Sequence, residues 1–189
     1  MILHNEDDIV KLISEDKWMM GILLEVKQLQ LPDWWVCAGF VRSKIWDTLH
    51  EFEQRTTMAD IDVIYLDRSV INESHEKILE QKLMKLSPGI PWSVKNQARM
   101  HSINDLEPYD SCIDAMAKFP ETATALGVKL DSENNIILAA PWGIEDVLQM
   151  KVMPTPFFSQ SDKLLEIYKK RVNVKNWSET WGKVTVLEY

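Results

Sequence analysis

Asp60-Ile61-Asp62-Val63-Ile64-Tyr65-Leu66 is the most strand-like run in this chain, with two carboxylates at its start and β-branched and aromatic residues behind them. In a strand, residues i and i+2 project to one face, so Asp60 and Asp62 point the same way while Ile61 and Val63 enter the opposite layer. Two like charges that close repel one another. The pair is held most easily when a divalent cation bridges it, and Mg²⁺ takes one or two carboxylates together with substrate phosphates. The spacing therefore points to metal-assisted phosphoryl or nucleotidyl transfer. Its bland counterpart is a pair of solvated acids opening an edge strand, so the flanking sequence has to decide.

Upstream, Trp34-Trp35-Val36-Cys37-Ala38-Gly39 reads as a short buried strand, and Phe40 to Leu49 as a helix that follows it directly. Phe40, Val41, Ile45, Trp46 and Leu49 form its apolar side, with Arg42, Lys44 and Asp47 expected to face away. This strand-to-helix turn brings free backbone N–H groups to the end of a strand, a natural seat for a triphosphate. Gly39, Phe40, Arg42 and Ser43 are the nucleotide-binding candidates, Arg42 adding a charge-assisted contact. Gly39 alone would more often mark a tight turn; the two-acid strand about twenty residues on makes the phosphate seat the better reading.

Working outward, Glu51 to Ala59 is polar loop and Asn72 to Leu86 is helical, broken by Pro88-Gly89-Ile90-Pro91. Trp92 to Lys95 suggests a third strand, and Asn96 to Ile103 either continues it or starts a helix. Ser111 to Leu126 reads as a helix interrupted at Pro120, and Asp131 to Asn135 as a turn before a strand at Ile136 to Ala140. Ile144 to Met150 resembles a short helix closed by Pro154 and Pro156. Gln160 to Val172 is helical, with Lys169, Lys170 and Arg171 complementing its C-terminal dipole, and Val184 to Leu187 suits an edge strand. One or two amphipathic helices occupy residues 6–30. The expected class is α/β (α+β), a mixed sheet flanked by helices.

Composition narrows the function. The chain has 189 residues, 46% of them hydrophobic, enough for one core without staples. Two cysteines, with no Cys/His cluster at zinc spacing, exclude a structural zinc site and fit a reducing cytoplasm. The acidic start Met1 to Asp8 does not resemble a signal peptide, and no apolar run approaches the roughly 18 residues of a membrane span. A formal charge of −8 argues against broad nucleic-acid binding.

Taken together, Ala38-Gly39-Phe40-Val41-Arg42 and Asp60-Ile61-Asp62-Val63 resemble the nucleotidyltransferase superfamily of DNA polymerase beta, including its tRNA CCA-adding branch. With Trp46-Asp47, Lys95-Asn96-Gln97-Ala98-Arg99-Met100-His101 and Ala140-Pro141-Trp142-Gly143-Ile144-Glu145-Asp146, the match is closest to the uncharacterised bacterial nucleotidyltransferase-like family. It spans roughly residues 34–156, with a weaker likeness around Trp177. The resemblance implies one domain over residues 1–189: N-terminal helices at 6–30, a core at 34–156 and a C-terminal extension at 157–189 that adds a helix and a strand. It also implies that Asp60 and Asp62 hold up to two Mg²⁺ ions on a nucleoside triphosphate (NTP), with Gly39 and Arg42 seating the phosphates.

The sequence departs from the pattern twice. Phe40 stands where the superfamily usually has Gly or Ser, and residues 92–101 contain no acid where a third metal-binding carboxylate is expected. Asn96 is a neutral substitute, Lys95 would oppose a cation, and Asp146 is an accessory metal or acceptor candidate. Lys95, Gln97, Arg99 and His101 share a face if this segment is extended, whereas a helix pairs Lys95 with Arg99. Of these, Arg99 is the best phosphate candidate. Two functions follow as expectations: Mg²⁺-dependent transfer of a nucleoside monophosphate from an NTP to an acceptor hydroxyl, or a catalytically reduced nucleotide-binding or interaction module of the same fold. A haloacid-dehalogenase-type phosphatase also uses Asp-x-Asp, but there the hydrophobic run precedes the acids, and here it follows them.

Overall fold

Most helices begin at a short polar side chain that takes over free amides. In the computed structural model, which describes residues 3–187, Asn5 and Asp8 form a reciprocal capping box on α1 (Glu6–Ser14), and Asp16 caps α2 (Lys17–Gln28). Strand β1 (Trp35–Cys37) runs into α3 (Gly39–Leu49), then a polar loop leads to β2 (Ile61–Tyr65). Asn72 caps α4 (Glu73–Leu86), which crosses over to β3 (Trp92–Asn96). Asn96 ends that strand by capping α5 (Gln97–Ile103), which settles the ambiguity of this segment in favour of a helix.

Ser111 caps α6 (Cys112–Ala117), and the helix stops well short of Leu126. A 3₁₀ turn at Thr122–Thr124 follows Pro120, and then comes a strand absent from the sequence reading, β4 (Gly127–Leu130). It forms a hairpin with β5 (Ile136–Ala139) around Asp131, whose carboxylate accepts from the amides of Glu133 and Asn135. Four residues are too few to show a clear period, so pairing rather than propensity makes β4 a strand. Helix α7 (Glu145–Leu148) precedes β6 (Lys151–Val152). Ser161 caps α8 (Asp162–Lys175), which is followed by α9 (Trp177–Thr180) and β7 (Thr185–Val186). β7 pairs in parallel with β6 rather than joining the main sheet.

The main sheet has the order β3-β2-β1-β4-β5, parallel between β2 and β3 and antiparallel elsewhere. This is the mixed sheet with flanking helices that the sequence predicts. Strand alternation sorts its two faces. Val36, Ile61, Val63 and Tyr65 enter the large core with α1, α2, α3 and the C-terminal tryptophans, while Trp35, Cys37 and Ile64 meet Cys112 and Met116 in a smaller one. Both cysteines are buried and free. No helix among the described residues is long and apolar enough to cross a membrane.

Gly127 faces Cys37 across the β1–β4 pairing, where a Cβ would stand 3.1 Å from Cys37 Cβ and 3.3 Å from the Val36 carbonyl oxygen. Neither atom belongs to a flexible tip. Gly127→Ala is expected to lower unfolding stability by about 1–3 kcal/mol, read as a lower urea midpoint at unchanged slope. An unchanged midpoint would show that the β1–β4 spacing is not tight.

Candidate functional site

The antiparallel register of β1 and β2 sets Cys37 opposite Asp62, so the acids at the start of β2 lie beside the end of β1 and the start of α3. Two motifs about twenty residues apart thus meet without a special loop. At the junction Ala38 adopts φ 54° and ψ −117°, a positive-φ conformation that costs a residue with a Cβ of order 1–3 kcal/mol. Unlike α1, α2, α4, α5, α6 and α8, α3 has no side-chain cap, so its first amides stay available to a ligand. Gly39 keeps the approach open, since even a methyl there would contact only Arg42 Nη2, at 3.8 Å.

These groups open onto a cleft of about 210 Å³ lined also by Asp60, Asp62, Ser43 and the Thr56–Ala59 segment. Its far wall comes from the C-terminal segment, with Arg171, Lys175, Trp177, Thr180 and Trp181. Arg42 is only 8% exposed, and its guanidinium lies 5.0 Å from the ring centroid of Trp46 and 5.1 Å from those of Trp177 and Trp181. Its Nη2 donates to Ser43 Oγ at 2.9 Å, and its buried Nε has no hydrogen-bond partner among the described residues. Burial pulls its pKa down to about 10 against the attraction of Glu121, which leaves the side chain charged at neutral pH. Arg42 forms no salt bridge with a carboxylate among the described residues. A desolvated cation at the edge of a cleft is the electrostatic complement of an anionic ligand.

The expectation that Arg42 and Asp47 face away from the core is corrected here. Both are buried, because the C-terminal tryptophans cover the face of α3 that a short amphipathic helix would leave in water. Asp47 accepts from the Thr56 amide at 2.9 Å, from Thr56 Oγ1 at 2.6 Å and from Trp181 Nε1 at 2.9 Å. One carboxylate therefore fixes the loop that delivers Asp60 and the wall that covers Arg42. Arg171 Nε is 2.6 Å from the fully buried Glu121, which also accepts from Thr124 Oγ1 at 2.7 Å.

Asp60 is exposed and Asp62 half-buried. Burial, and then repulsion from Asp60, push the Asp62 carboxyl up to about 6, with the Ser93 hydroxyl pulling the other way. Ser93 is the register partner of Asp62 on β3, so the neighbouring strand supplies a hydroxyl rather than a third acid. Among the described residues, no group of three His, Cys, Asp or Glu side chains is arranged to hold a metal. The donor set is two carboxylates, which suits a hard oxygen-seeking cation that completes its shell with phosphate and water.

The remaining candidates are placed elsewhere. Phe40 is fully buried with its ring centroid 6.0 Å from that of Trp18, so its side chain serves the core, while Ser43 holds Arg42. Asn96 is fully buried and ties down the segment after β2 through the Asp67 amide and the Asp67 and Val70 carbonyls. Arg99 makes a two-pronged contact with buried Glu76 at 2.9 and 2.8 Å. His101 packs edge-on to Tyr109, and Asp146 accepts from Thr122 Oγ1 at 2.6 Å. None of Asn96, Arg99, His101 and Asp146 lines the cleft. Lys95 lines an adjoining lobe. Sequence reasoning missed Thr56, Thr124, Arg171, Lys175, Trp177 and Trp181; the basic run at Lys169 to Arg171 was the available signal, and helix-dipole complementarity explained it equally well.

A nucleotidyltransferase family profile matches residues 25–186. A solution NMR structure described as revealing a CCA-adding enzyme head domain is 36% identical, covers 98% of this chain and 97% of its own, and superposes with a TM-score of 0.88. A CCA-adding enzyme in complex with CTP (TM-score 0.56, 12% identity) covers 100% of this chain, and one with ATP (0.52, 12%) covers 93%. This chain spans 44% and 43% of those two proteins, and the likeness shows the fold. No curated protein matches.

Because the Asp62 carboxyl titrates near 6 when folded and near 3.9 when unfolded, the folded state holds an extra proton in between, and stability falls as pH rises through that window. In metal-free buffer at pH 7.5, Asp62→Asn is expected to raise Tm by about 2–6 °C, allowing for screening. The gain should vanish below about pH 3, where the carboxyl is protonated in both the folded and the unfolded state. A lower Tm for the variant at pH 7.5 would show that the folded state does not disfavour the charged form of Asp62.

Proposed function

The chain belongs to the nucleotidyltransferase family, and on that premise we propose that it transfers a nucleoside monophosphate from an NTP to an acceptor hydroxyl with Mg²⁺. One observation carries this reading. A buried arginine with no salt-bridge partner among the described residues and an uncapped helix start open onto the same cleft as two mutually repelling carboxylates. The first pair of features wants an anion and the second wants a cation, and an Mg²⁺-bound triphosphate brings both charges at once.

In this reading Asp60 and Asp62 hold the metal, which when bound supplies neutralisation of the charge that grows on the phosphoryl oxygens. The first amides of α3 and the Arg42 guanidinium receive the terminal phosphates, and Lys175 adds charge from the opposite wall. Trp46, Trp177 and Trp181 keep Arg42 in place and dry, so its field acts on the phosphates at low dielectric. Structures of CCA-adding enzymes with CTP and with ATP are consistent with an NTP as the substrate class. The net charge of −8 favours an acceptor other than long nucleic acid, and two free thiols fit the reducing cytoplasm.

A second reading, a nucleotide-binding module without turnover, draws on Ser93 standing opposite Asp62 where a third acid would serve as general base. Pyrophosphate release separates the two. Titration of the four NTPs is expected to change tryptophan fluorescence only with Mg²⁺ present, since Trp177 and Trp181 line the cleft. Asp60→Asn/Asp62→Asn should abolish the response, and Arg42→Lys should weaken triphosphate binding about tenfold more than nucleoside binding, the loss of one forked contact. Mg²⁺-independent binding, or equal losses for triphosphate and nucleoside, would overturn these assignments. Tight binding without pyrophosphate release under any acceptor would favour the module.

A further inference from the structure

The cleft does not end at Asp62. A second lobe of about 220 Å³ continues beyond it, sharing Ala38, Asp62, Thr124 and Arg171 with the first. Ile64 and Phe119 give it apolar walls, Gln97 and Asn104 supply amides, and Lys95 supplies a cation. The Lys95 side chain is 30% exposed and stands 3.8 Å from Glu76, whose carboxylate is already held at 2.8–2.9 Å by Arg99. The lysine is thus the loosely held member of that cluster, able to turn to a ligand. The charge that makes Lys95 a poor neighbour for a metal ion suits an anion.

We infer that this second lobe seats the acceptor, and that the acceptor is a small hydroxyl-bearing phosphate ester whose phosphate meets Lys95. The inference rests on the nucleotidyl-transfer reading and deepens it. Phosphoryl displacement runs in line, with the attacking oxygen opposite the leaving group. With the terminal phosphates on the α3 side of Asp62, the attacking hydroxyl comes from the other side, where the lobe lies. The acceptor oxygen forms a bond to the α-phosphorus as the bond from that phosphorus to the bridging oxygen breaks. Pyrophosphate leaves with the electron pair, and the hydroxyl proton goes to solvent. A neutral nucleobase would gain little from a lysine in this lobe, whereas a phosphate forms a charge-assisted contact. The net charge of −8 and the size of the lobe favour a small ester over an RNA end.

The test is an amide NMR titration of the full chain with ribose 5-phosphate, with ribose and with a short single-stranded RNA, each with and without Mg²⁺-ATP. Ribose 5-phosphate is expected to shift the amides of Lys95, Gln97 and Asn104, and ribose to bind at least fivefold more weakly. Lys95→Gln should remove that preference and Lys95→Arg restore it. Mg²⁺-ATP should leave the ester bound. Absence of shifts in the lobe, displacement of the ester by Mg²⁺-ATP, equal binding of ribose, or tighter binding of the RNA would each overturn the inference. If the lobe titrates but no NTP binds, the transferase reading fails and the phosphate-ester site stands.

Discussion

The guanidinium of Arg42 is the constraint around which the site is organised. Removing a cation from water is expensive, and among the described residues Arg42 forms no salt bridge that would repay it directly. Three indole faces at 5.0–5.1 Å offset part of the cost, at about 0.5–2 kcal/mol each for a desolvated contact. Two of those indoles, Trp177 and Trp181, come from the end of the chain. The C-terminal segment is therefore bound to α3 by the same contact that keeps the arginine charged, oriented and short of one partner.

Asp47 extends that coupling. Its carboxylate receives the Trp181 indole N–H from one side and Thr56 from the other, so the wall of the cleft and the loop leading to Asp60 share one acceptor. Glu121 plays the corresponding part opposite, joining Arg171 on α8 to the turn that precedes β4. Buried polar groups of this kind are costly if any member is lost and rigid when all are satisfied. The walls are held by such networks, while the groups facing the cleft are left with open valences. Asp62 in turn sits at a raised pKa because of its burial and, second, repulsion from Asp60. Stability withheld at these positions is what a ligand of the right charge recovers on binding.

Much of this was legible in the chain. Asp60, Asp62, Gly39 and Arg42 stand out in the sequence because strand alternation and a strand-to-helix turn are short-range rules, and all four line one cleft. The principal helices were legible from their periods and caps. Other features were not. β4 and β6 have too few residues to show a period, and Asn96, Arg99 and Asp146 were read as site candidates because a polar side chain looks the same in sequence whether it meets a ligand or a buried partner such as Glu76 or Thr122.

The sequence by itself determined the mixed α/β class, the two-acid strand and the strand-to-helix turn beside it, since each depends on residues a few positions apart. Only the tertiary structure decided which cations complete the cleft. Arg171, Lys175, Trp177 and Trp181 reach the cleft from more than a hundred residues beyond Arg42, the two indoles packing on its guanidinium, through packing that no local period encodes. The same holds for the hidden face of α3, where a helix that reads as half-solvated is covered on both sides because the chain returns to it.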